Sequence, residues 1–231
     1  MQPAEKLVLI NGAALFGLGV MLALFNPDYF HDVYSAEDGV MEWLTVMTLA
    51  TVAVLTAARL RRGYREFGRI QRLVLASLVL LAIFGAGEEV SWGQRLIGIH
   101  SSEFFLDHNR QGETNLHNLA VAGVNLNKLL FARGFLVFFI LYLAVLTPLC
   151  YRSGRFRALA DRCGVPIPKP YQIAGYVMVI LAVEGLLNLV PGDVPRRGEL
   201  TEFAIPLLAA LNIIYPLNHA VFEPGSIDDG R

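Results

Sequence analysis

The sequence predicts an all-α, polytopic membrane bundle, and three observations carry that prediction. Hydrophobic residues make up 55% of the 231 and charged residues only 17%, where a soluble domain carries about 25% charged. Apolar runs recur at the length a helix needs to cross the hydrocarbon, about 20 residues for about 30 Å. No polar linker divides them, so residues 1–231 read as a single integral membrane domain. Runs this long and continuous exclude barrel strands. A formal net charge of −1 is neutral on nucleic acid, and no nucleic-acid partner is expected.

Six spans are predicted. The first, about 7–25, follows MQPAEK, which is barely basic and precedes no small-residue cleavage site. It reads as a retained helix and not a removed signal peptide. The second, 41–59, opens with Glu42 after an acidic stretch, and the third, 72–92, carries Glu88 and Glu89 at its end. The fourth is 129–149. The fifth, 171–190, contains Glu184 and Asn188 within ILAVEGLLNLV, and Glu184 is expected to face the bundle interior. The sixth, 201–221, opens with Glu202 just after Glu199 and contains Pro206 and Pro216, where a kink is possible. In the long connection 93–128, Gln111-Gly112 marks a turn and Glu113 or Thr114 a cap, so a short interfacial helix is expected there. Cys150 and Cys163 fit no metal spacing and are too few for a disulfide framework.

Loop charges set an expected orientation. Arg59, Arg61, Arg62, Arg65, Arg69 and Arg72 join spans two and three against Glu66 alone. Arg152, Arg155, Arg157, Arg162 and Lys169 join spans four and five against Asp161. Asn26 to Val40 holds four acids, Asp28, Asp32, Glu37 and Asp38, and no Lys or Arg. The alternation places both termini in the cytoplasm of a bacterial inner membrane, and both cysteines on the reducing side. Glu42, Glu88, Glu89, Glu184, Asn188, Glu199 and Glu202 then gather at the outer level, with the 111–118 loop.

Acids at the end of a span have a plain explanation, since a glutamate there reaches the headgroups. Their convergence from four spans is harder to explain that way, because ionisable residues inside a span cost about 2.5–3.5 kcal/mol near its centre. Several glutamates in one low-dielectric cavity need protons, cations or a metal. If the third helix continues, Arg95 lies on the face of Glu88 with Trp92 between them, which suits a structural Glu–Arg pair as well as a site. If 113–117 is helical, Glu113 and His117 face the same way, the spacing of two metal ligands or of a histidine oriented by a carboxylate. The expected metal set is Glu89, Glu113, His117 and Glu202, holding zinc, iron or manganese. His31, His100 and His108 read as solvated, and His219 falls at the far end of span six.

The stretches EDGVMEWLT (37–45), GEEVSWGQR (87–95) and QGETNLHN (111–118) resemble an uncharacterised group of bacterial polytopic membrane proteins, with most of the chain covered and no activity implied. GEEVSWGQRL is also similar to the Glu-Glu motif of the CAAX-protease and bacteriocin-processing intramembrane glutamate proteases. That resemblance implies Glu88 as the water-activating base, Glu89 as its neighbour, Arg95 as the arginine and His117 as the next histidine. The family leaves three residues between the Glu pair and the arginine, whereas this chain has five, VSWGQ.

The resulting expectation is a metal-assisted hydrolase or transferase acting on a lipid or lipid-linked substrate at the periplasmic interface. Glu88, Glu89, His117 and Arg95 are the candidate catalytic residues. Trp92, Gln94, Asn115, Asn118, Glu184 and Asn188 are the candidate substrate contacts. A proton-coupled transporter and a non-enzymatic partner subunit are the alternatives.

Overall fold

In a computed structural model the chain is helical almost throughout. The structure describes residues 1–37, 39–116, 118–121, 124–125, 134–190 and 194–223. For Arg95, Leu96, Val121, Val124, Asn125, Phe135 and Leu136 it describes the backbone alone.

Helix α1 spans Pro3–Phe25, with proline at its first position and the Glu5 carboxylate accepting from Gln2 N at 2.9 Å. A proline there suits a position whose N–H would be unpaired. It stops at Asn26 because Pro27 follows and disfavours helical backbone before it. Helix α2, Val40–Arg62, and helix α3, Arg69–Glu89, form an antiparallel pair. Helix α4 is Val137–Arg152, and its turns widen to i→i+5 over Ile140–Leu146, just before Pro148. Pro148 brings no N–H to the ladder, and Thr147 Oγ1 donates to the Tyr142 carbonyl at 2.8 Å within the widened stretch. Helix α5, Pro170–Leu189, widens likewise over Leu181–Leu186, and helix α6 is Gly198–Ile214.

Four of these helices, α1, α2, α3 and α5, are long and apolar enough to cross a membrane. Counting the bent pair of α4 and Gly154–Cys163 as one span brings the total to five. The chain is thus that of a multi-pass membrane protein. The sixth predicted span is where the structure differs: α6 has 17 residues and ends at Ile214, seven short of the expected 221. At about 1.5 Å per residue it covers roughly 25 Å.

Helix α6 is the hub. Leu200, Phe203, Ala204, Leu208, Leu211 and Asn212 are all buried on it, against α1, α2 and α5. Close approach requires glycine at Gly175 of α5, where a Cβ would stand 2.7 Å from Leu208 Cδ2; small residues at such crossings let helix backbones meet. A single arginine ends the hub. Arg59 of α2 is buried and donates to the Ile213 and Ile214 carbonyls at 2.9 and 3.1 Å, with its guanidinium 5.2 Å from the Phe222 ring centroid. It supplies donors to carbonyls that a helix C-terminus leaves without partners.

The bundle therefore has two chemically distinct ends. One holds Arg59 to Arg72 and a buried ion pair, Glu5–Lys169 at 2.6 Å, to which Tyr171 Oη adds a hydrogen bond at 2.5 Å. The other holds Glu42, Glu88, Glu89, Glu199 and Glu202. Between them lie buried polar atoms: Tyr142 accepts from Asn212 Nδ2 at 2.6 Å, while Thr56 Oγ1, Tyr176 Oη and Asn212 Oδ1 have no hydrogen-bond partner among the described residues.

Candidate functional site

At its carboxylate end α3 does not continue as predicted. The helix stops at Glu89, and Ser91, Trp92 and Gly93 take positive φ angles of 47°, 56° and 76° before a short helix resumes over Gln94–Ile97. Left-handed backbone at a non-glycine residue costs on the order of 1–3 kcal/mol and is kept only where surrounding contacts impose it. This break removes the expected common face of Glu88 and Arg95. Arg95 lies beyond the left-handed turn, on a new helix axis.

Contacts with the 109–118 loop impose the turn. The buried Glu88 carboxylate accepts from Trp92 Nε1 at 2.8 Å and from the Leu116 backbone N–H at 2.6 Å. Ser91 Oγ bonds the Glu113 carboxylate and accepts from Asn115 Nδ2 at 2.8 Å. The Gln94 amide oxygen accepts from Thr114 N at 2.8 Å, and Ser101 joins Gln94 to Thr114 Oγ1. Gly87 is needed beneath the indole: a Cβ there would sit 2.8 Å from Trp92 Cε3. The turn after α3 and the 109–118 loop are thus folded on each other.

The helix expected to follow Gly112 does not form over the described residues 113–116. These are bends and irregular backbone, and beyond them Ala120–Val121 pairs antiparallel with Val124–Asn125. Asn109 Oδ1 takes the N–H groups of Gln111 and Glu113, and Asn115 Oδ1 takes that of Asn118. Side-chain acceptors of this kind compete with helix formation. The turn at Gly112 does form, with φ of 67°. Glu113 faces Ser91 and Asn115, and His117 lies outside the described residues.

Glu89 turns the other way. It is half-buried, and the carboxylates of Glu202, Glu199, Glu42 and Glu88 all lie within electrostatic reach of it. Three elements supply that group: the end of α3, the first turn of α2 and the first turns of α6. Glu199 precedes the apolar part of α6. Burial, and then the Glu202 carboxylate, hold its carboxyl above the ordinary carboxylate value, while Arg196 acts in the opposite sense. Arg196 is itself fixed at the rim, donating to Glu37 at 2.8 Å and to the Ser35 carbonyl at 3.0 Å.

The sequence-predicted residues therefore fall into groups. Glu42, Glu89, Glu199 and Glu202 come together, while Glu88, Trp92, Gln94, Glu113, Asn115 and Asn118 build the docked loop. Glu184 and Asn188 join neither group. Both are exposed on α5, with Asn188 Nδ2 bonded to Glu184, so the expected inward orientation of Glu184 is corrected. Among the described residues, no three His, Cys, Asp or Glu side chains are placed to hold one metal ion. Ser91, Ser101, Asn109 and Arg196 were not singled out from sequence. Their only signal was polarity beside a glycine turn, which ordinary loops share. Compared with family models, curated proteins and solved structures, the chain matches none.

Proposed function

We propose that the protein is an inner-membrane hydrolase of a lipid or lipid-linked substrate, with its site at the carboxylate end of the bundle, on the periplasmic side. In this reading the chain crosses six times with both termini in the cytoplasm. One observation carries the reading: adjacent glutamates at the end of α3 are divided, Glu88 into hydrogen bonds that hold the left-handed turn, Glu89 into a half-buried group of carboxylates.

Glu89 is the general base. Crowded carboxylates raise one another's proton affinity, and a general base works best when its pKa lies near the working pH. Glu89 removes a proton from water as the water oxygen bonds to the substrate ester centre; the ester oxygen leaves with a proton returned from the same group. Trp92, half exposed beside the site, packs against the lipid portion, and Glu88 acts through the turn that carries Trp92.

The test uses the full chain in nanodiscs of native lipid extract and ¹⁸O-labelled water. Label should enter a lipid-derived product with wild type and fall about 100-fold or more with Glu89→Gln, the range of a lost general base. Equal labelling by wild type and Glu89→Gln would overturn the proposal.

A proton-coupled carrier is favoured by a different observation: Tyr176 Oη and Asn212 Oδ1, in the middle of the bundle near Tyr142, have no hydrogen-bond partner among the described residues. Under that reading Tyr176→Phe abolishes pH-driven uptake into liposomes; under the hydrolase reading it leaves labelling intact.

A further inference from the structure

The arginine end carries a second feature, independent of the carboxylate site. Between α2 and α3 a groove of about 830 Å³ opens on the flank of the bundle, within the span of ligand clefts, about 300–1,000 Å³. Its wall is apolar: Ala57 and Leu60 from α2 face Ala76, Val79 and Leu80 from α3. Its mouth is basic, formed by Arg61, Arg62 and Arg65, with Glu66 also at the rim.

The dimensions and chemistry run in one direction. Leu80 lies 11 residues into α3 from Arg69, so the apolar wall descends roughly 16 Å from the basic mouth, at about 1.5 Å per residue. Ala57 and Ala76 keep its floor shallow, while Leu80, Leu73 and Ile70 are exposed beside it, as side chains meeting acyl chains are. Tyr64 closes one edge and is held by the Arg72 guanidinium, 4.7 Å from its ring centroid. Aromatic and basic side chains belong at the headgroup level.

The arginines at the mouth differ from their neighbours in what they do. Arg59 is consumed by the α6 carbonyls and Arg72 by Tyr64. Arg61, Arg62 and Arg65 make no ion pair within the described residues. Between positions 61 and 72 there are five arginines and one glutamate, so the local field attracts an anion.

We propose that this groove is a binding site for one anionic phospholipid, its phosphate on Arg61, Arg62 and Arg65 and an acyl chain along the α2–α3 wall. An arginine fork matches phosphate oxygens in pairs, and basic pockets between spanning helices take anionic headgroups. The lipid would fill the gap between two helices whose packing also positions Glu42 and Glu89 at the opposite end.

Native mass spectrometry of the full chain in detergent, with phosphatidylglycerol or phosphatidylcholine added, tests this. Wild type should retain phosphatidylglycerol in preference to phosphatidylcholine. The Arg61→Gln/Arg62→Gln/Arg65→Gln variant should weaken retention about 100-fold, from the usual contribution per arginine at an anionic surface. Ala76→Trp fills the wall without touching charge and should weaken it comparably; Ala57→Trp, on the opposite helix, repeats the test should Ala76→Trp fail to fold by circular dichroism. No preference for phosphatidylglycerol overturns the proposal. So does loss on the arginine variant with full retention on the folded wall variants, which means diffuse surface charge. Displacement of the lipid by an equal concentration of glycerol 3-phosphate also overturns it, since a free phosphate would then be the ligand.

Discussion

On one side of the α3 terminus, Glu88 is buried and accepts from an indole and a backbone amide. On the other side Glu89, its neighbour in sequence, shares a half-buried space with three carboxylates from two other helices. The same side-chain chemistry has become a structural acceptor in one case and a member of a charged group in the other. Adjacent residues on a helix point about 100° apart, from 3.6 residues per turn. Here that divergence separates the residue that holds the turn from the residue proposed to do chemistry.

Four experiments break or sharpen this contrast. The largest effect is on turnover: Glu89→Gln should lower ¹⁸O incorporation about 100-fold or more with its melting temperature at or above wild type. Loss of melting temperature with unchanged incorporation would erase the distinction between the two sides. Glu88→Ala should do the reverse in stability, because it removes the acceptor of Trp92 Nε1 and of the Leu116 N–H, at about 1 kcal/mol for each part-buried bond. Protease cleavage within 109–118 should accelerate in step, and Glu88→Gln, which retains an acceptor oxygen, should recover part of the loss.

Gly87→Ala comes third. Its new methyl meets Trp92 Cε3 at 2.8 Å, so the indole must shift, costing about 1–3 kcal/mol for overpacking. Trp92 fluorescence, read in a Trp43→Phe background, should move to longer wavelength; an unmoved spectrum would mean that the indole does not depend on Gly87. The smallest effect is the pH response of the carboxylate group. Glu199 is held above its ordinary value of 4.5, so its contribution to stability is complete below that pH and is lost as pH rises through the raised value. The protein should melt higher at pH 5 than at pH 8, and Glu199→Gln should flatten that difference. An unchanged slope in the variant would place the response on another group.

Much of this architecture was legible because its causes are local. The apolar runs of α1, α2, α3 and α5 end where Pro27, Gly63 and charged residues end them. The gathering of acids at one end and arginines at the other followed from where the loops carried charge. The failures have equally specific causes. The stretch after Gly112 has a plausible cap and spacing for a helix, yet Asn109 and Glu88 take the backbone donors of Glu113 and Leu116, and only folding brings Glu88 to Leu116. The sixth run is apolar to Val221, but Arg59, 154 positions before Ile213, meets the carbonyls that end the helix. Glu184 looked inward because its neighbours are apolar, whereas Val183 and Leu187 take the buried face of α5 and Glu184 stays exposed beside Asn188.

By itself, then, the sequence determined that this is a helical multi-pass membrane chain with one acidic and one basic end. Hydrophobic length and loop charge act through the solvent and need no particular partner. Which glutamate of the pair carries structure and which meets Glu42, Glu199 and Glu202 was decided only by tertiary structure. That division depends on a left-handed break at Ser91 to Gly93 and on hydrogen bonds to a loop more than 20 residues away. Such bonds exist only once the helices have packed.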